Sequence, residues 1–238
     1  MSIRSTDPVD LPVDPAQRRP DGFDVPLGAA PAGPDPVGPG HWLVQTDGQV
    51  APLPVWRWHG APEPAVEPVV SRCTGPTIDL GCGPGRLAAA LARRGAVALG
   101  VDISAEAVRL ARLRGVSALR RDLFDPLPGE GRWAHALLID GNIGIGGDPV
   151  RLLRRCGALL RAGGTVLVEL DPPGTGLWRG QAHVASDVPG QDGPHTGPVF
   201  HWARLGVEAV DAVAASAGLR VVETFRSGSR RFAELVRG

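Results

Sequence analysis

The sequence predicts an α/β fold, a doubly wound and mainly parallel sheet, and three observations predict it. Short apolar runs alternate with amphipathic helical stretches from residue 76 onward, the first run leads into the glycine-rich "DLGCGPG" of residues 79–85, and "LRVVETF" and "RRFAELV" flank Ser227-Gly228-Ser229 near the end. Alternation of that kind implies parallel strands covered by helices on both faces. Two strands joined by so short a turn are antiparallel, so the sheet is expected to finish in a hairpin.

Each element follows from local signals. Residues 1–40 are crowded with Pro, Gly and Asp and show no periodicity, which predicts an extension that is disordered or draped over the domain. "WLVQTDGQVAPLPV", residues 42–55, alternates apolar and polar positions around Asp47-Gly48 and reads as a hairpin; with the following "WRWHG" it makes an N-terminal cover over residues 41–70. The main domain is expected over residues 71–238. Its first strand ends at Leu80, and "RLAAALARRG" then places Leu87, Ala90 and Leu91 at helical spacing before Gly95 stops the helix. "AVALGVD" is a second strand, Ser104 can cap the next helix, and Ala107, Leu110 and Ala111 give that helix a buried face. "VSAL" and "HALLID" follow as third and fourth strands. Asp148-Pro149 opens a helix with Leu152, Leu153, Cys156, Leu159 and Leu160 inward, and "TVLVEL" makes a fifth strand. Residues 171–204 show little periodicity and are expected as a loop-like insert, a length that is usually functional or disordered. A helix from about Val207 precedes the closing hairpin.

Composition excludes several chemistries. The 25 basic residues are all Arg, so no lysine is present for Schiff-base or Walker-type phosphate chemistry. They balance 25 acidic residues, which removes the strong basic field that non-specific nucleic-acid binding needs. Three cysteines, Cys73, Cys82 and Cys156, have neither an even count nor metal spacing, which predicts reduced thiols in a cytoplasmic setting and no metal site. No signal-peptide or membrane-spanning stretch is visible.

In open parallel sheets a ligand sits beyond the carboxyl ends of the strands, where the glycine loop falls. A dinucleotide fingerprint would need a third glycine at the position of Arg86, so hydride chemistry with a nicotinamide loses its main support. Asp79 lies at the end of the first strand, one residue before Leu80, beside loop amides that attract an anion, so the ligand should carry both signs. An amino-acid moiety fits, its carboxylate on the loop and its ammonium near Asp79. Asp102 ends the second strand and can accept from two ribose hydroxyls; Asp122, past the third, can accept from an adenine amino group.

An amino acid, a ribose and an adenine in that order describe S-adenosylmethionine. Here the sequence resembles the class I S-adenosylmethionine-dependent methyltransferases over roughly residues 76–170: "DLGCGPG", "GVDIS", "RRDLFD" and "LLIDGNIG" look like the first four motifs, and "LLRAGGTVLVELD" like the stretch through the fifth strand. The resemblance implies a Rossmann-like sheet of about seven strands with its last strand antiparallel, S-adenosyl-L-methionine as cofactor, and Asp140 near the methionine moiety. The cofactor candidates are thus Asp79, Gly81, Cys82, Gly83, Gly85, Asp102, Ile103, Asp122, Leu123, Asp140 and Gly141. Asn142, Trp178 and Trp58 are candidate substrate contacts, and His195 and His201 candidate bases, for a small-molecule acceptor placed between residues 42–59 and 171–204. A non-catalytic S-adenosylmethionine-binding module is the alternative. His135, inside the fourth strand, is expected to be a satisfied core histidine.

Overall fold

The computed structural model describes residues 22–28, 40–188, 190 and 192–237. In chain order these give α1 (Asp24–Gly28), β1 (His41–Gln45), β2 (Val50–Pro52), α2 (Val55–His59), α3 (Glu67–Arg72), β3 (Thr77–Leu80), α4 (Arg86–Arg93), β4 (Ala98–Asp102), α5 (Ala105–Leu113) and β5 (Ala118–Arg120). There follow β6 (Trp133–Leu138), a 3₁₀ turn (Asn142–Gly147), α6 (Pro149–Leu159), β7 (Leu160–Leu170), β8 (Leu177–Ser186), β9 (His195–Thr196), β10 (Phe200–Leu205), α7 (Val210–Ser216), β11 (Leu219–Ser227) and β12 (Arg230–Arg237).

Seven strands form the main sheet in the order β11-β12-β7-β6-β3-β4-β5. Neighbours from β5 through β7 are parallel, whereas β12 runs antiparallel to both β7 and β11. β3 and β6 are buried at every position, as strands covered on both faces must be. One core cluster packs Leu152, Leu153, Cys156 and Leu159 of α6 against the sheet, and a second seats Val69 and Val70 of α3 with Leu87 and Leu91 of α4 on the other face. The strand order reverses between β3 and β6, which puts the switch point at the glycine loop.

The second sheet differs from the expected loop-like insert. Residues 171–204 contribute β8, β9 and part of β10, and these join β1 and β2 in the order β10-β8-β1-β2, with β9 on β8. β1 pairs with β8 across 145 positions of sequence, where His41 Nδ1 and Ser186 Oγ lie 2.8 Å apart. The signal was weak because the buried positions of β8 are small: Ala182 and Val184 pack beneath Leu43, and the ring of Trp178 lies over Gly180.

Within residues 1–40, where composition left disorder or draping over the domain as alternatives, the described segment 22–28 is draped. Leu27 of α1 is buried, and the Ser104 hydroxyl donates to Asp24 at 2.7 Å while accepting from the amide of Ala107 as the N-cap of α5. A polar contact and a ring cluster around Phe23 override the poor local propensity. Residues 1–21 and 29–39 lie outside the described residues.

Candidate functional site

β3 delivers Asp79 to the switch point and the glycines then turn the chain into α4. Gly81 and Gly83 have φ of 72° and 52°, left-handed values that favour glycine. A Cβ at Gly81 would meet Asn142 Nδ2 at 2.7 Å, whereas one at Gly83 would meet nothing within 4 Å, so the outer face of the loop is open there. The loop's amides are used internally. Gly81 and Cys82 donate to Val101 O at 2.8 and 3.1 Å, Gly83 to Asp102 Oδ2 at 2.8 Å, and Gly85 to Cys82 O at 2.9 Å. The expected cradle of free amides for a carboxylate is therefore absent from these four positions.

The three strand-end carboxylates have distinct surroundings. Asp79 is 3% exposed and its Oδ2 has no hydrogen-bond partner among the described residues. Burial pushes its pKa up to about 7, against the opposing pull of Arg86 and with Asp140 and Asp102 adding repulsion. Asp102 accepts from the amides of Gly83 and Ser104 at 2.8 and 2.9 Å; burial still raises its pKa over the lowering effect of these bonds. Asp122 accepts from the Phe124 amide at 2.9 Å, an Asx turn that occupies Oδ1. Ile103, beside Asp102, is exposed.

Asp140 is not the free carboxylate the motif suggests. It is the single non-glycine residue with positive φ among the described residues, at 59°, and its two oxygens accept from Arg86 at 2.6 Å and Arg230 at 2.8 Å. Its amide donates to Glu169 at 2.7 Å. Arg230, 5% exposed, also pairs with Glu169 at 2.5 Å, and Arg86 with Glu63 at 2.9 Å. Favourable contacts with Glu169, Asp140 and Glu63 outweigh burial and raise the pKa of Arg230. Sequence reasoning missed Glu63, Glu169 and Arg230. The available signal was a glutamate inside the otherwise apolar "VLVEL", since a charge on an interior strand needs a partner.

Other candidates take structural places. Cys82 is buried with its side chain against Gly100, and Leu123 lies in the main core, so neither side chain faces the open loop. Asn142 clamps the glycine turn by donating to Leu80 O and Gly81 O at 2.9 and 2.8 Å. Trp178 folds over its own strand. His195 and His201 are exposed on β9 and β10, and among the described residues neither has a carboxylate partner that would mark it as an activated base. His135 is satisfied by Thr165 Oγ1 at 2.9 Å and the Thr74 amide at 3.2 Å.

The structure instead gathers aromatic rings that the sequence keeps apart. Phe23 meets Trp58, Phe200 and Trp202 at centroid distances of 6.1, 5.4 and 5.8 Å. Trp202 lies against the turn after β6, where a Cβ on Gly144 would come within 2.5 Å of its ring. The second sheet therefore covers the Gly141–Gly144 turn, next to Asp140.

A seven-stranded sheet with one antiparallel strand, and carboxylates at successive strand ends around a glycine turn, together make a Rossmann-like fold of the kind found in class I methyltransferases. Residues 78–164 match the family model described as "Methyltransferase domain". It is 30% identical over 101 residues to a ubiquinone biosynthesis O-methyltransferase of Xanthomonas campestris pv. campestris, a match covering 39% of this chain and 41% of the relative. The chain thus spans about two fifths of the curated relatives it matches.

Solved structures extend the likeness of fold further. A SAM-dependent methyltransferase from Bacteroides fragilis, in complex with S-adenosyl-L-homocysteine, superposes with a TM-score of 0.67 at 22% identity over 84% of this chain and 88% of that one. A sugar N-methyltransferase from Streptoalloteichus gives 0.54 at 20% identity, covering 72% and 85%. Among the described residues no helix is long and apolar enough to cross a membrane.

Proposed function

We propose that this protein transfers a methyl group from S-adenosylmethionine to a small-molecule acceptor. The observation that carries the reading is the buried, unpartnered Oδ2 of Asp79 beside an open glycine turn. A buried acceptor without a donor is costly, and a cationic ammonium is the group that best relieves it. The other groups fit the rest of the cofactor. Asp102 holds two amides yet keeps lone pairs for ribose hydroxyls, Asp122 keeps Oδ2 for an adenine amino group, and exposed Ile103 offers an apolar surface to the ring. When bound, S-adenosylmethionine supplies a methyl group activated on a sulfonium. The protein's share of a direct displacement is alignment and exclusion of water, which suits the ring cluster around Trp202 and asks for no dedicated base.

The O- and N-methyltransferases among the similar proteins support a small-molecule acceptor, and the ring cluster beside the glycine turn is its expected wall. Titration of the full chain with S-adenosylhomocysteine, NAD and ATP tests the cofactor: the first should bind and the others not comparably. Incubation with S-adenosylmethionine and a small-molecule cell extract should then generate S-adenosylhomocysteine. Binding without any turnover would favour the non-catalytic module, and equal binding of NAD would overturn the cofactor assignment.

A further inference from the structure

A cleft of about 280 Å³ lies between α4, the end of α5 and the segment from His59 to Pro62 that crosses them. His59, Arg86, Arg93 and Arg114 line it, and among the described residues no Asp or Glu does. Arg86, Ala89 and Arg93 fall on one face of α4, with the small Ala89 leaving space between two guanidinium groups. Arg86 is neutralised on its inner side by Glu63 and Asp140. Arg114 is not neutralised, because it donates to the carbonyls of Gly60 at 3.0 Å and His59 at 2.7 Å, which fix its direction without cancelling its charge. Arg93 is exposed and makes no ion pair among the described residues. The nearby acids are engaged elsewhere, Glu106 by Arg109 and Glu63 by Arg57 and Arg86. His59 Nε2 is a buried nitrogen with no hydrogen-bond partner among the described residues. Burial, then repulsion from Arg86 and Arg93, lowers the pKa of Arg114, as unmatched positive charge should.

We propose that this cleft binds a dianionic phosphoryl group, at a place separate from the methyl-donor site. Two guanidinium groups without counter-charge balance a phosphate dianion, and their planar forks match its oxygens. The volume lies below the usual range for whole small-molecule ligands, which suits a group rather than a nucleotide. The phosphoryl group is either part of the acceptor or free in solution, and the chemistry of recognition is the same. This inference goes beyond the methyl-transfer reading and does not depend on it.

The test is calorimetric titration of inorganic phosphate into the full chain at constant ionic strength, with and without saturating S-adenosylhomocysteine, and with acetate as the monoanion control. Saturable phosphate binding is expected in both states, with acetate at least roughly tenfold weaker. Arg93→Ala, on an exposed side chain that leaves the fold intact, should weaken phosphate at least roughly fivefold, with Arg93→Lys recovering part of the loss and S-adenosylhomocysteine affinity unchanged in both. Absence of saturable phosphate binding, or an unchanged affinity in Arg93→Ala, overturns the site. Loss of phosphate binding whenever S-adenosylhomocysteine is present overturns its separateness. Failure to bind S-adenosylhomocysteine would instead strike the methyl-transfer reading, while the phosphate titration of the free chain still decides this one. With a phosphorylated acceptor in hand, competition with phosphate assigns the group to the acceptor and independent binding assigns it to free phosphate; both sustain the site.

Discussion

In the seven-stranded sheet each polar side chain of the site stands at the end of its own strand: Asp79 on β3, Asp102 on β4, Asp140 just past β6 and Glu169 near the end of β7. In the five-stranded sheet the residues facing the same region are rings, Phe200 and Trp202 of β10 with Phe23 and Trp58 from the N-terminal segments. One half of the site thus includes charges held by the buried Arg230, the other apolar rings packed on one another, on the Leu43 cluster and on a glycine turn. Under the proposed function, charges on strand ends serve a polar ligand, whereas packed rings serve to exclude water. The difference predicts that damage to the first sheet is felt as stability or cofactor affinity, and damage to the second as acceptor turnover.

The largest expected effect breaks the charged half. Arg230→Ala would leave Asp140 and Glu169 as half-buried carboxylates without their shared, buried cation, which costs about 3–5 kcal/mol. Chemical denaturation should show the loss. A change below about 1 kcal/mol would mean that water reaches these carboxylates and that the network is a surface one.

Next comes Asp102→Ala, which removes the acceptor proposed for the ribose. Titration with S-adenosylhomocysteine should show binding weakened by about 1.5–3 kcal/mol. Undiminished affinity would remove Asp102 from the site, leaving its bonds to the Gly83 and Ser104 amides as its whole role. For the apolar half, truncation at residue 59 is a poor probe, because it strips β1 from β8. Trp202→Ala is cleaner and should spare S-adenosylhomocysteine binding while lowering turnover.

The same contrast decides what the sequence could reveal. Asp79, Asp102 and Asp122 were legible because each follows an apolar run and stands near a glycine or a helix cap, all within a few positions. Arg230 and Glu63 were not, since each reaches Asp140 or its partner from a distant part of the chain and no local pattern marks the pairing. The second sheet was hidden for a related reason. β8 carries Gly180, Ala182 and Ala185, small residues whose partners are Trp178 and a strand more than a hundred positions away, so its own alternation is faint.

A smaller effect concerns the protonation of Asp79. Its pKa of about 7 in the ligand-free fold lies above the ordinary carboxylate range, so the folded state binds the extra proton. Stability of the ligand-free protein should therefore fall as pH rises from about 4 through about 7. A cationic ammonium needs the ionised form, so S-adenosylhomocysteine affinity should move the opposite way and gain roughly tenfold between about pH 6 and about pH 8. Calorimetry in two buffers of different ionisation enthalpy reads the proton released on binding. A flat pH profile with no proton release would place the ammonium elsewhere.

The smallest expected effect tests the seam between the halves. Ser104 caps α5 through the Ala107 amide and holds Asp24 of α1, and α1 carries the neighbouring Phe23 into the ring cluster. Ser104→Ala should cost about 1 kcal/mol of stability, the ordinary loss of a helix N-cap. Ser104→Asp keeps an N-cap acceptor but sets a second carboxylate against Asp24, so it should recover the stability of the helix while still releasing α1. If the two halves are coupled through this residue, Ser104→Asp lowers acceptor turnover and leaves α5 as stable as before. Turnover that follows stability alone in both variants would mean that α1 is merely attached to α5, and that the rings around Trp202 hold their arrangement without it.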